Sequence, residues 1–544
     1  MSNLKSRLQD LGPSITRILE IAGAAGASIG VIHNNETLHF ANFGYRDVTS
    51  KVSPDEHTIY HVASLSKSFT AAAVGILVDE KKLAFEQPVS SVLGSLKHPD
   101  PSIQDHATIL DFLSHRTGLA TKQSLWAQDG QELLLKKNDS LSIVSYLEVV
   151  QPLGTWYNYN NWGYDVAAAI VEQASGQSWG SFVSERVLDP LQLRRTFVEA
   201  NPPEDNYAMG YMPGPDGSLT PVGRPTIANG TVQQGANGIK TTASDLLQYY
   251  KTILHTWKTE VSTGSSDISS PLKNVRELLT EHISMDPKSE FKQSYGAGWA
   301  IVDLPSPVGA IGTNGMFVAN MPVLGKGTEK KKLWYHNGSL VGFFSSVHVI
   351  PDTDTIVVVL VNSIPKNDAP DWIGQLLIEE ILGNPDKNDY IAYAEESANS
   401  YVRMWQELEE EFNKTREQSK HKRHLDEYVG RYYNVPRNWY IEVTLEDGNL
   451  FFSFQGLASQ KHQLHHHGAD CFNWPLTEKR SRTLGRWPDL DASTYEFRFD
   501  TNDDDNIIAL RWVHDPDIPD GEQFPKVTDA KVPNEATYAQ VPVS

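Results

Sequence analysis

Ser64 and Lys67 stand three residues apart in His61-Val62-Ala63-Ser64-Leu65-Ser66-Lys67-Ser68-Phe69-Thr70, at the start of an apolar run. Residues three apart share a helix face, so the lysine amine can reach the serine hydroxyl. A serine hydroxyl is a poor nucleophile until a neighbour takes its proton. Lysine can take it only when neutral, and burial against an apolar helix favours the neutral form. The helix N-terminus adds N–H groups and a positive end for a developing oxyanion. Ser64 is therefore a candidate nucleophile and Lys67 its base. An isolated Ser-x-x-Lys is more often a capping serine beside a surface lysine, so the rest of the chain has to decide.

Two further stretches bear on that decision. Gly154-Thr155-Trp156-Tyr157-Asn158-Tyr159-Asn160-Asn161-Trp162-Gly163-Tyr164 precedes an apolar helix, Ala167–Ile170. Its Tyr159 phenol can relay a proton and its Asn161 amide can bind a substrate carbonyl. By itself the stretch also reads as a turn cluster with core aromatics. Trp334-Tyr335-His336-Asn337-Gly338-Ser339-Leu340-Val341-Gly342-Phe343 reads as a strand ending in His-Asn-Gly with a second strand close behind. Gly338 lets the backbone approach a ligand. Alone, this is also an ordinary hairpin with an exposed histidine.

The elements around these motifs alternate in kind. Residues 5–22 are amphipathic and interrupted at Gly12-Pro13, a helix that breaks or restarts. Ala27–His33 and Thr37–Gly44 flank a polar turn and form a hairpin. Ser68–Val78 is apolar on all sides, a buried helix. Thr108 caps a helix reaching His115, and another helix starts at 241–245. Gly298–Asp303, Lys332–His336, Phe343–Ile350 and Thr355–Asn362 are strands. Strands from both ends with helices between predict an α+β unit, one antiparallel sheet with a helical lobe. Residues 388–423 read as a solvated linker helix carrying Glu407, Glu409, Glu410 and Glu411. Beyond 424, hairpins at 440–454 and 495–513 predict an all-β domain, barrel-like or curled. The expected boundaries are 1–387, 388–423 and 424–544, with the last 20 or so residues irregular.

Composition narrows the function. Of 544 residues, 40% are apolar and 21% charged, as in soluble globular proteins, and the length calls for more than one domain. A net charge of -21 repels nucleic acid. Cys471 is the only cysteine, so no disulfide framework forms within the chain. The start of the sequence has no signal-peptide pattern, and Ile356–Val361 is too short an apolar run to span a bilayer. The expectation is a cytoplasmic protein with neither a nucleic-acid nor a membrane partner; its oligomeric state is not legible. His465-His466-His467 lacks a matching carboxylate or cysteine spacing, so no metal site is read.

The three motifs, in this order, resemble the serine β-lactamase and penicillin-binding-protein superfamily. The resemblance is to the branch of class C β-lactamases, D-amino acid peptidases, family-eight carboxylesterases and lovastatin-type transesterases. Thr108–Leu119, with His115-Arg116-Thr117-Gly118-Leu119, and Gly235–Leu246 resemble two more segments of that branch, so the likeness covers roughly 10–365. It implies an acylated Ser64, Lys67 as its base, Tyr159 sharing protons with base and leaving group, and Asn161 binding substrate. It places His336-Asn337-Gly338 where relatives carry Lys-Thr-Gly, or His-x-Gly in several esterases and peptidases. The N–H groups of Ser64 and Ser339 are the implied oxyanion hole. Absence of Lys-Thr-Gly weighs against efficient penicillin hydrolysis. The β domain, opening at Tyr428–Tyr433, resembles lipocalin-like appendages in texture.

The function so implied is hydrolysis of an ester or amide of a small molecule through acyl-Ser64, with no cofactor. One rival is a biosynthetic acyltransferase, in which an alcohol or amine replaces water. The other is a non-turnover acyl sensor or scaffold, against which intact Ser64, Lys67 and Tyr159 argue.

Overall fold

The structure, a computed structural model, describes residues 2–202, 205–414 and 423–527. The chain divides into two compact units. The first is 1–410 with 476–490, and the second is 411–475 with 491–544. The irregular tail expected at the C-terminus lies outside the described residues.

The first unit opens with α1 (Ser2–Asp10) and α2 (Gly12–Ala22), which restart at the expected glycine-proline step. The hairpin β1 (Gly26–His33) and β2 (Glu36–Gly44) turns through Asn34 and Asn35, both at positive φ, where asparagine is tolerated. The helical lobe holds α3 (Ser66–Asp79), α4 (Ile109–Leu113), α5 (Trp162–Ser175) and α6 (Ala243–Thr263). Every residue of α3 from Ser66 to Leu77 is buried, which is why its sequence shows no polar stripe. Thr108 caps α4 in a capping box with Asp111, and the Thr242 hydroxyl accepts from Asp245 N at the start of α6.

The sheet is completed by β3 (Ile283–Ser284), β4 (Gln293–Tyr295), β5 (Ala300–Leu304), β6 (Lys331–Leu340), β7 (Phe343–Ile350) and β8 (Thr355–Val361). Its eight strands run antiparallel in the order β2-β1-β8-β7-β6-β5-β4-β3. β6 extends beyond the expected strand end at His336-Asn337-Gly338. It pairs with β7 as far as Leu340 opposite Phe343, across a tight turn whose Gly342 sits at φ +87°. One face of the sheet, with Ile29, Val31, Val357 and Val359, packs on α2 and on α7 (Ala369–Leu382). The other face meets α6, with Leu247 close against Gly30. Both faces are covered, so β8 is buried along its whole length and apolar from Ile356 to Val361.

α8 (Tyr390–Lys414) occupies most of the predicted linker, whose residues 415–422 lie outside the described residues. It is not solvated all round. Tyr390, Ala394, Trp405 and Leu408 are buried, and Trp372 of α7 packs on Tyr390 and Tyr393. With Ala398, these buried residues fall at helical spacings of four, four, seven and three along one stripe, and the glutamates lie off it. Residues 476–490, within the range expected for the β domain, pack with the first unit and contain α9 (Glu478–Leu484).

The second unit is all β, one nine-stranded antiparallel sheet from Gly430–Tyr433 to Glu522–Val527 that forms a nearly closed barrel. Its two edge strands, Lys461–Gln463 and His465–Gly468, are separated in the chain by Leu464 alone. Trp439, Phe454, Trp474, Phe497 and Trp512 fill its interior. Among the described residues, no helix is long and apolar enough to cross a membrane.

Candidate active site

Ser64 lies on a turn between a short strand, Tyr60–His61, and α3. The strand pairs with Lys240–Thr241. Ala63 then takes φ +47°, a left-handed conformation that costs a residue with a Cβ roughly 1–3 kcal/mol. That sharp turn leads into α3 through a single turn of 3-10 helix, and Ser64 keeps 8% of its surface exposed. The turn is tied on both sides. Val62 N donates to Ile239 O, Ile239 N donates to Ser66 Oγ, and Ser345 Oγ of β7 donates to Val62 O.

Lys67 is fully buried in the first turn of α3, with Nζ 3.0 Å from Ser64 Oγ. Its amine is also 2.6 Å from Asn161 Oδ1 and 3.5 Å from Ala236 O. Burial pushes its pKa well below the usual lysine range, and the charge of Asp165 opposes part of that shift. Its neighbours are mostly neutral rings. Nζ lies 4.9 Å from the centre of the Tyr159 ring and 5.3 Å from that of Tyr164. A lysine so placed is poised to lose its proton and to serve as a base.

Tyr159 and Asn161 arrive on a loop that His115 fixes through both its backbone carbonyl and its ring. Asn158 N donates to His115 O, and Asn160 N donates to His115 Nδ1. Asn160, the middle of Tyr-x-Asn, bonds Ala120 O and Trp162 N, so it braces the turn. Asn161 stands at the N-cap of α5, its Oδ1 toward Lys67 and its Nδ2 donating to Gln123 Oε1 at 3.0 Å. Burial raises the pKa of the Tyr159 phenol, and the neighbouring Ser64 hydroxyl offsets part of that rise. Tyr159 packs on His115, with ring centres 4.4 Å apart, and His115 packs in turn on Tyr157, Tyr164 and Tyr295. Burial holds His115 far below the usual histidine pKa, so this box is uncharged.

The β6 motif, expected to bind substrate through His336, Asn337 and Gly338, makes most of its bonds within the protein. His336 is buried, against the rival reading of an exposed hairpin histidine. Its Nδ1 lies 2.7 Å from Asn337 O, a carbonyl that only accepts, so Nδ1 carries the proton. Nε2 then accepts from Tyr295 OH at 2.9 Å, and both ring nitrogens are occupied within the protein. Burial, helped by Lys67, pushes its pKa down to about 3, so it does not become a cation near neutrality. Asn337, next along the strand, points to the other face, where Nδ2 donates to Asp368 Oδ2. It does not face Ser64. Gly338 approaches the serine turn closely: a Cβ there would lie 2.4 Å from Val62 O and 2.4 Å from Ser345 Oγ. Beyond Tyr335 no strand of β5 pairs with β6, and Ser339 lines the cavity beside Tyr159 and Asn161.

That cavity has a volume of about 320 Å³. Sequence reasoning missed several residues near it. Gln123 holds Asn161. Asn237 Oδ1 is 3.5 Å from Ser64 Oγ. Asp165, buried behind Lys67 and bonded by Gln233 N and Ser140 Oγ, has a carboxyl pushed up to about 7 by burial. Arg486 and Trp487 line the cavity from residues 476–490. Only Asn237 lay inside a quoted motif; the others carry no local pattern, and topology alone brings them in.

The sequence profile of the β-lactamase family matches residues 14–380. The chain belongs to that family. Within this β-lactamase-family chain, residues 414–525 match a domain of unknown function, DUF3471. A β-lactamase of Pseudomonas fluorescens is 26% identical over 307 residues, covering 56% of this chain and 76% of that protein. An unguisins hydrolase of Aspergillus campestris is 24% identical over 393 residues, 70% of this chain and 66% of that one. Among solved structures, the octameric penicillin-binding protein homologue from Pyrococcus abyssi superposes with a TM-score of 0.55. It is 20% identical, with 95% of this chain and 99% of that chain covered, a likeness of fold. Membership of the β-lactamase family supports hydrolase chemistry on a small molecule in general.

Proposed function

We propose that the protein is a serine hydrolase that cleaves an ester or amide through an acyl-Ser64 intermediate. The observation that carries this reading is the fully buried Lys67 amine, 3.0 Å from the Ser64 hydroxyl at a strained turn. Lys67 takes the hydroxyl proton as Oγ attacks the substrate carbonyl. The N–H groups of Ser64 and Ser339 receive the oxyanion. Collapse expels the alcohol or amine, which gains a proton through Tyr159, and water then attacks acyl-Ser64 by the same route in reverse. Asn161 orients Lys67 and offers its amide to the substrate.

Uncharged esters and amides are favoured over penicillins. At the place of the relatives' Lys-Thr-Gly, this chain has a neutral His336 with both nitrogens engaged and an Asn337 turned away. A carboxylate there gains no charge-assisted hydrogen bond, which is worth roughly 1.5–3 kcal/mol. Mild acid does not restore that attraction, because His336 stays neutral down to about 3.

The test is intact mass after treatment with a small fluorophosphonate. One adduct is expected on the protein, and none on Ser64→Ala. An adduct that persists in Ser64→Ala removes Ser64 from its role.

A further inference from the structure

The cavity beside Ser64 has a wall that none of the motifs supplies. After α9, Gly485 turns at φ +61°, and Arg486 and Trp487 follow. Arg486 is buried, with its guanidinium 3.2 Å from Asp129 and 3.2 Å from Asp489. Asp129 belongs to the loop that carries Gln123 and Trp126, so this ion pair clasps residues 476–490 to the loop that holds Asn161. α9 is fastened besides, since Arg482 bonds Glu478 and the Thr220 hydroxyl.

Trp487 stands at the edge of the cavity, 36% exposed, and its indole stacks on Phe344 with ring centres 6.0 Å apart and planes 18° apart. Phe344 is the register partner of Ser339, so the stack sits one strand away from the expected oxyanion donor. Across the cavity are Trp126, Ile227 and Leu340. Aromatic walls of this kind bind large apolar groups with few rotamers to freeze. Among the described residues lining the cavity, the one cation, Arg486, is already matched by two carboxylates, so an anionic substrate group finds little attraction there.

We propose that Trp487 and Trp126 form a specificity pocket for a bulky, uncharged hydrophobic group of the substrate, such as a phenyl ring or a medium-length alkyl chain. Arg486 is the positioning residue that holds Trp487 in place through Asp129. This rests on the acyl-Ser64 reading for its chemistry. It adds that residues 476–490 select the substrate.

The experiment uses the full chain and two ester series, one varying the acyl group from acetyl to octanoyl and phenylacetyl, the other varying the alcohol of an acetate in the same way. Active sites are titrated with fluorophosphonate, so that kcat/KM is compared per competent molecule. In at least one series the wild-type protein prefers the large group to the small. Trp487→Ala lowers that large-to-small ratio about tenfold, the scale on which small changes in a hydrophobic pocket discriminate. Trp487→Phe keeps most of it. Arg486→Gln lowers the same ratio, and Arg486→Lys restores part of it. A wild-type protein indifferent to size in both series overturns the proposal, as does a Trp487→Ala ratio within threefold of wild type. If either Trp487 variant fails to fold, Trp126→Ala read by the same ratio decides. Failure of the acyl-serine reading shows separately, as absence of an adduct on Ser64. In that event, quenching of tryptophan fluorescence by the same esters, present in the wild type and lost in Trp487→Ala, still supports the pocket, and its absence overturns it.

Discussion

Gly338→Ala presses on the contact that joins the sheet to the serine turn. The new Cβ would stand 2.4 Å from Val62 O and 2.4 Å from Ser345 Oγ, where ordinary contact begins at 3.4 Å. The serine hydroxyl of Ser345 can rotate away at the loss of its bond to Val62 O. The carbonyl of Val62 cannot, because it is backbone two residues before Ser64. Relief therefore requires β6 and the serine turn to separate by about 1 Å, the difference between those contacts. Overpacking of this kind costs roughly 1–3 kcal/mol of stability. A displacement of about 1 Å at the reacting atoms costs on the order of 100-fold in rate. Denaturant unfolding measures the first. The second is measured by kcat/KM on an aryl ester and by the rate of fluorophosphonate labelling, both per folded molecule. Gly342→Ala is the comparison. It strains the backbone at φ +87° in the turn that follows β6, away from Val62, and is expected to lose stability with a much smaller loss of acylation rate. A folded Gly338→Ala protein acylated at the wild-type rate would show that the spacing between β6 and the serine turn does not govern the chemistry.

Two other substitutions probe the charges behind Ser64. Lys67→Arg keeps a cation but supplies no neutral amine; turnover is expected to fall at least ~100-fold, with folding checked by thermal unfolding, and near-wild-type turnover contradicts the base role. Asp165→Asn tests a buried acid. The folded-state pKa of Asp165 lies at about 7 against 3.8 unfolded, so the folded state keeps a proton that the unfolded chain releases, and this group's contribution to stability falls as pH rises from about 4 to 7. The unfolding free energy of Asp165→Asn relative to wild type is expected to increase over that range, by on the order of a few kcal/mol; a relative stability that is flat or declining with pH refutes the assignment.

The architecture was legible wherever one physical pattern dominated a segment. The α1–α2 break followed from Gly12-Pro13, the first hairpin from its polar turn, and α3 from an apolar run too long for a strand. Ser64 and Lys67 could be paired from spacing because i and i+3 on a helix are neighbours whatever surrounds them. The surroundings themselves were not legible. His336 was read as binding substrate, with an exposed hairpin end as the rival reading; only the packing of Tyr295 and Lys67 around it makes it buried and neutral. Asn337 was read as facing the site, but strand alternation sends it to Asp368 once β6 continues to Leu340. The α8 helix was read by its glutamates, and its buried stripe of Tyr390, Ala394, Trp405 and Leu408 was overlooked. Arg486 and Trp487 lie between hairpins of a different unit in the chain, so no local pattern could have pointed to them.

Because residues 476–490 complete the first unit, that unit is not contiguous along the chain. A ribosome releases residues up to 410, then six of the nine strands of the second unit, before Arg486 and Trp487 emerge. At about 5–20 residues per second this interval lasts on the order of several seconds. During it, the nascent chain holds Ser64 and Lys67 but lacks one wall beside them. On the proposed pocket, substrate discrimination is acquired late in synthesis, and a message cut short before that segment yields a Ser64 site without that wall.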